Sequence, residues 1–190
     1  MSSLHLEPTK TALVLIDLQG GVVAMSTAPY SPAEVVERSR RLAEAFRAKG
    51  APVVYIRVDL NDFLQLPVDV SLRDPNAPPP PPEASEIVPQ AGFQSGDLLI
   101  TKRHWGAFAN TKLEEELRKR GVETVVLGGI ATNMGVESTA RQGTGLGFAF
   151  VIVEDICTSI SDDAHRFAFE TIFPRLAKVR KSDEVIAALD

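Results

Sequence analysis

The sequence predicts an α/β protein, a parallel β-sheet covered by helices on both faces. Three observations lead there. Short apolar runs alternate with longer stretches of helical pattern along most of the chain, and that alternation builds parallel sheets from strand–helix–strand units. The first apolar run, Thr11–Asp17 (TALVLID), is nearly all apolar, as a strand buried on both faces is. No repeat period recurs, which excludes a solenoid.

Each element has its own local signal. After Thr11–Asp17, Ser31-Pro32-Ala33-Glu34 opens a helix. Serine is the N-cap, proline takes the first turn and glutamate reaches back as a capping box. Gly50 stops that helix, and Pro52–Val58 (PVVYIRV) is the second strand. Leu60 to Gly96 carries Pro67, Pro75, Pro78–Pro82 and Pro89 without a sustained period. It is expected as one long surface excursion, either a tolerated insertion or a lid. Asp97–Lys102 (DLLITK) is the third strand. Asn110 is placed as the cap of a helix from about Thr111 to Arg120, with Gly121 as its stop. Glu123–Gly128 is the fourth strand, followed by a helix from about Met134 to Leu146. Phe148–Glu154 is the fifth strand. Asp162 to about Phe173 reads as helix, with Phe167, Phe169 and Phe173 directed to the core. Leu176–Arg180 is a short sixth strand and Ser182–Leu189 a closing helix.

The 190 residues are expected to form a single domain, 1–190. Apolar residues make up 44% and charged residues 24%, enough of each for a water-soluble core-forming chain. The net charge of −5 argues against a nucleic-acid binder, which carries a basic face. One cysteine, Cys157, excludes an intramolecular disulfide and a multi-cysteine metal cluster. No apolar run reaches the roughly 18 residues of a membrane span. Met1 to Lys10 lacks a signal-peptide pattern. The expectation is therefore cytoplasmic, with no membrane partner.

Ligands of such sheets bind at the carboxyl ends of the strands, near the reversal of strand order. That rule selects Asp17, Asp59, Lys102, Gly128–Met134 and Glu154–Cys157. Asp17 is either a turn residue or an acid/base group. Lys102 ends an apolar strand and needs a partner if buried. Should the two converge, they form either a proton-transfer centre or a structural ion pair. The lysine would lower the carboxyl pKa and desolvation would raise it. The small residues from Gly128 to Gly135, with Ile130, Ala131, Thr132 and Asn133 among them, allow close backbone approach and offer amides to an anion or oxyanion. Thr132 or Asn133 also serves as an N-cap. Trp105 and Phe108 either wall an apolar pocket or pack in the core. His5, His104 and His165 lack metal-ligand spacing. Gly143, Gly145 and Gly147 end a helix instead of following a strand, so the dinucleotide fingerprint fails.

Three segments together, Thr11–Gln19 (TALVLIDLQ), Ile100–Asn110 (ITKRHWGAFAN) and Gly128–Arg141 (GGIATNMGVESTAR), resemble the isochorismatase-like, or cysteine hydrolase, family. The resemblance implies a Rossmann-like three-layer sandwich with a six-stranded parallel sheet. It implies an Asp–Lys–Cys triad in which Asp17 and Lys102 match the aspartate and the lysine. The nucleophile position is occupied by Gly135, which excludes a thiol acyl-enzyme at that position. The resemblance also implies substrate contacts from Gln19, Trp105, Phe108, Ile130, Ala131, Thr132 and Asn133, and a cis peptide bond at Ile130–Ala131. Isochorismatases resemble this chain in carrying glycine there and imply acid–base chemistry, but they have an aromatic residue and a histidine where this chain has Ala131 and Asn133. The nicotinamidase branch implies a metal held by histidines after the second strand. Asp59-Leu60-Asn61-Asp62-Phe63 offers none, so no metal and no cofactor is expected. Three functions stand open: first a hydrolase of a small organic substrate, then a small-molecule binding module that lost the nucleophile, and last a thiol hydrolase using Cys157. A homodimer or larger homo-oligomer is expected.

Overall fold

In the computed structural model, which describes residues 4–71, 73–74 and 76–189, six parallel strands form one sheet in the order β3-β2-β1-β4-β5-β6. Met1 and Pro75, both read in the sequence, lie outside the described residues. The strands are β1 Thr11–Ile16, β2 Val53–Val58, β3 Leu98–Lys102, β4 Thr124–Ile130, β5 Ala149–Thr158 and β6 Lys178–Arg180. Helices cover both faces, giving the α/β three-layer sandwich expected of the sequence. They are α1 Gly20–Val23, α2 Pro32–Ala48, α3 Leu113–Lys119, α4 Glu137–Gly145, α5 Asp162–Phe167, α6 Phe173–Leu176 and α7 Ser182–Ala187.

Strand β1 is the spine, paired with β2 on one side and β4 on the other. All six of its residues are buried. Leu13 and Leu15 face the core under α2 and α7, while Ala12, Val14 and Ile16 face the core under α3, α4 and α6. This two-sided burial explains why its sequence does not alternate. Strand order reverses between β1 and β4, so the carboxyl ends of those strands form the crevice of the fold.

Helix α2 begins as its sequence dictates. The Ser31 Oγ accepts the Glu34 N–H at 3.3 Å, and the Glu34 carboxylate accepts the Ser31 N–H at 3.0 Å. Val35, Val36, Ser39, Leu42, Ala43 and Phe46 form its buried stripe. Gly50 follows the C-terminus with φ +72°, a left-handed conformation natural to glycine.

Several boundaries differ from the sequence reading. Asn110 adopts φ +56° and caps nothing; instead the Thr111 Oγ1 accepts the Leu113 N–H at 3.1 Å, and α3 starts at Leu113. The fourth strand runs two residues past Gly128, to Ile130. The fifth extends to Thr158, because a bulge interrupts the pairing: β4 advances from Leu127 to Gly129 while β5 advances from Ile152 to Cys157. The helix expected from Met134 is preceded by a wide turn, Thr132–Val136, closed by the Val136 N–H to the Ala131 carbonyl five residues back at 3.3 Å. The helix after β5 is split by a second wide turn at Ala168–Ile172. Phe173 is buried and Phe169 half-buried there, but Phe167 is exposed, since it sits on the outer face of α5.

The proline-rich excursion is not wholly superficial. Its first part is tied to the segment after β3: the Leu64 N–H donates to the Arg103 carbonyl at 2.7 Å, and Arg103 pairs with Asp62. Its last part, with turns at Pro82–Ser85 and Pro89–Ala91, lies against the end of β1. There the Val88 N–H donates to the Leu18 carbonyl, and the Gly20 N–H to the Glu86 carbonyl, both at 3.0 Å. Ser85 and Ala91, the last residues of these two turns, are buried.

Candidate active site

Asp17 leaves β1 with φ +53°, a conformation that costs a non-glycine residue of order 1–3 kcal/mol and gathers at functional sites. Its N–H donates to the Ile56 carbonyl at 2.9 Å, which keeps the residue at the sheet's end while the backbone turns. Lys102 ends β3. Its stem spans the end of β2, and its Nζ donates to the Asp17 Oδ2 at 2.7 Å. Both residues are buried. The other carboxyl oxygen, Oδ1, is buried with no hydrogen-bond partner among the described residues. Burial pushes the Asp17 carboxyl above its ordinary value, and the Lys102 ammonium, by charge and by hydrogen bond, pulls against it.

Gly135 lies in the wide turn after β4. A Cβ placed on it would stand 2.8 Å from Ile16 Cγ2, 3.3 Å from Asp17 Oδ2 and 3.5 Å from the Trp105 carbonyl oxygen. Glycine here leaves the space beside the carboxylate without a side chain. The preceding Ile130–Ala131 peptide is cis. Gly129 permits the approach of β4 to β1, since a Cβ on it would lie 2.2 Å from the Ile16 carbonyl oxygen, and its φ of +128° suits only glycine.

The wide turn is anchored on three sides. The Thr132 Oγ1 is 2.8 Å from Nδ1 of His165. The Ser159 hydroxyl donates to the Asn133 side-chain oxygen at 2.5 Å. The Thr139 hydroxyl donates to the Gly135 carbonyl at 2.6 Å and accepts the Ala107 N–H at 3.1 Å. Asn133 is therefore a strut of the turn. Ala131 is buried at its entry, with Ile130 just ahead of it in the core.

Thus Asp17, Lys102 and Gly135 come together, with the Trp105 main chain beside them. Three other expectations need correction. Gln19 is fully buried with its amide consumed: Nε2 donates to the Val58 carbonyl at 2.9 Å and the Ala84 carbonyl at 3.1 Å, and Oε1 accepts the Val58 N–H at 2.8 Å. It ties the excursion to β2 and has no free group for a substrate. Phe108 is core, stacked on Phe148 with ring centroids 5.6 Å apart. Ile130 likewise packs in the opposite core. Trp105 is half-buried, and its ring continues a stack with His104 and Phe63 at 6.0 and 5.5 Å.

Cys157 lies within β5 and is fully buried. Burial pushes its thiol far above the ordinary range, so it holds its proton and packs as a small apolar group. Asp59 uses its Oδ1 to accept the Asn61 N–H at 2.9 Å in a tight turn. Among the described residues no group of three or more histidine, cysteine or acidic side chains gathers as a metal ligand set. No helix among them is long and apolar enough to cross a membrane. His165, Ser159 and Thr139 escaped the sequence reading as supports of the site. His165 and Ser159 meet the turn from 33 and 26 residues away, and no local pattern marks such a pairing.

Residues 11–184 match the isochorismatase domain. The chain is 44% identical to the isochorismatase family protein YecD of Escherichia coli O157:H7, over 98% of this chain and 100% of that one. It is 29% identical to the ureidoacrylate amidohydrolase RutB of Agrobacterium fabrum, over 83% and 80%. The solved structure of an isochorismatase family protein from Burkholderia thailandensis superposes with a TM-score of 0.91 at 42% identity, covering 98% of each chain. With the fold, the crevice and these similarities in agreement, the chain belongs to the isochorismatase family.

Proposed function

We propose that the protein is a hydrolase of a small organic substrate, a carboxylate, vinyl ether or amide, that works by acid–base chemistry without a covalent intermediate. The observation that carries this reading is the buried Lys102–Asp17 pair, with Asp17 Oδ2 beside the bare Gly135 and Oδ1 without a hydrogen-bond partner among the described residues. The similarity to an amidohydrolase supports the hydrolytic class. A carboxyl group whose proton affinity is raised by burial can hold a proton to give, and Lys102 fixes its orientation. Gly135 offers no nucleophile, which leaves water to attack. On a vinyl ether, Asp17 gives its proton to the terminal carbon, and water adds to the adjacent carbon and returns a proton to Asp17. The C–O bond of the hemiketal then breaks to a ketone and an alcohol. A positioned general acid of this kind contributes about 10²–10⁴-fold in rate.

The test is a turnover screen over vinyl ethers, amides and carbamates, run with and without prior alkylation by iodoacetamide. Turnover of one class, unaffected by alkylation, is expected. Turnover abolished by alkylation of correctly folded protein would overturn the reading. Binding of small acids that raises the melting temperature, with none of these classes turned over, would replace it with a binding module.

A further inference from the structure

We infer that His165 is a positioning residue of the candidate active site, acting through the Thr132 hydroxyl on the turn that carries Gly135. The inference rests on the functional reading above for its kinetic arm and on geometry alone for the rest. His165 is 2% exposed on the short helix α5, where Asp163, Arg166 and Phe167 are exposed. Its Nδ1 lies 2.8 Å from Thr132 Oγ1, on a threonine that is itself fully buried. Its Nε2 is buried with no partner among the described residues. Phe169 packs on the ring at 4.6 Å, and Tyr30 meets it edge-on at 6.3 Å. A buried polar atom without a partner destabilises the fold. Packing alone would be served as well by leucine or phenylalanine at this place. Among the described residues, the one polar contact the imidazole makes is with the turn.

That contact lies at the right point to matter. Thr132 opens the turn, and three residues later Gly135 abuts Asp17. The other two anchors, Asn133 with Ser159 and Gly135 with Thr139, use groups that do not titrate near neutral pH. Of these three anchors, only His165 titrates near neutral pH. As a neutral imidazole it holds Thr132 in either tautomer. As an imidazolium its Nδ1–H can still donate to Thr132, but the ring carries a buried charge and a second N–H with no acceptor among the described residues, which favours movement of the ring toward water and away from Thr132. The groups facing it divide: Glu154 on β5 and Asp162 on α5 favour the charged form, while Lys181 before α7 and burial oppose it, burial most of all. Tyr30 faces the ring and also joins Glu154 and Lys181.

The experiment follows the turn and the site together. Amide resonances of residues 132–136 and fluorescence of Trp105, the sole tryptophan, are titrated from pH 8 to pH 4.5 in wild type, His165→Asn and His165→Leu. Asparagine keeps a polar atom at the Nδ1 position, and leucine does not. In wild type the turn amides are expected to move with the His165 imidazole, at a midpoint below the ordinary histidine value. In His165→Asn that transition is expected to vanish with the neutral-pH spectrum kept. In His165→Leu the turn is expected to be displaced at all pH values. With the substrate class found by the screen, His165→Leu is expected to lower kcat about 10-fold or more at nearly constant KM, a size set by small misplacements of reacting groups, and His165→Asn to recover most of it. Turn amides that ignore the imidazole titration would overturn the inference, as would equal behaviour of the two variants at equal thermal stability. If His165→Leu does not fold, Thr132→Val against Thr132→Ser makes the same comparison. Should no substrate be turned over, the spectroscopic arm decides the inference while the functional reading fails alone.

Discussion

At the residue scale, the site depends on a few side chains whose neighbours define their chemistry. Asp17 was legible in the sequence as a carboxylate ending a buried strand, and Lys102 as a lysine in the same place on another. Their convergence was not, because it depends on which strands are adjacent. Replacing Lys102 by methionine keeps the stem and removes the charge. The Asp17 carboxyl then loses the group that lowers its proton affinity, so its titration is expected to move upward, read by the carboxyl carbon resonance of Asp17. Because the folded-state value is already raised, the folded chain binds this proton more tightly than the unfolded chain does. Asp17 therefore lowers stability as pH rises from the ordinary carboxylate value through its raised one. For His165 the sign is opposite in charge but definite. Its folded value is lowered, so stability is expected to fall as pH drops below about 6.5, where the unfolded imidazole takes up its proton. His165→Asn should flatten that part of the curve of melting temperature against pH. Gln19 and Phe108 show the limit of reasoning by motif. A polar or aromatic residue near a site can face the scaffold, and only the hydrogen-bond partners reveal which.

At the scale of elements, the strong local signals were read correctly. Ser31-Pro32-Ala33-Glu34 gave the start of α2, and Gly50 gave its end. Substituting Ser31 by alanine should cost about 1 kcal/mol, measured by urea unfolding. The misread elements are those decided by tertiary contacts. The extension of β5 follows from a bulge whose Ile156 packs where Gly128 has no side chain. The wide turns that precede α4 and split the helix after β5 leave no sequence trace, since they arise where the backbone accommodates neighbours. The excursion was seen as a break in period, but its attachment to Gln19 was not. Gln19→Leu removes the partners of the Val58 N–H and of the Val58 and Ala84 carbonyls. A buried group left unpaired costs about 1–3 kcal/mol. The variant is expected to lose stability on that scale and to be cut faster by protease within residues 60–96.

At the scale of the whole molecule, strand–helix alternation predicted the layers, six strands and the position of the crevice, and the family resemblance implied the same six-stranded sheet. The topology then brings together groups that are 85 residues apart, Asp17 and Lys102, at the reversal of strand order. It also carries Cys157 into the core under α3, α4 and α6, away from solvent. Under the proposed function the proton chemistry belongs to Asp17 and no thiol takes part. The most direct measurement is kcat/KM of Asp17→Asn and Cys157→Ala beside wild type, on the substrate class found by the screen, with folding of each checked by circular dichroism. Asp17→Asn is expected to lose about 10²–10⁴-fold, and Cys157→Ala to stay within about 3-fold of wild type, as a buried residue outside the chemistry does. Loss of turnover in folded Cys157→Ala, or full turnover in Asp17→Asn, would contradict the account.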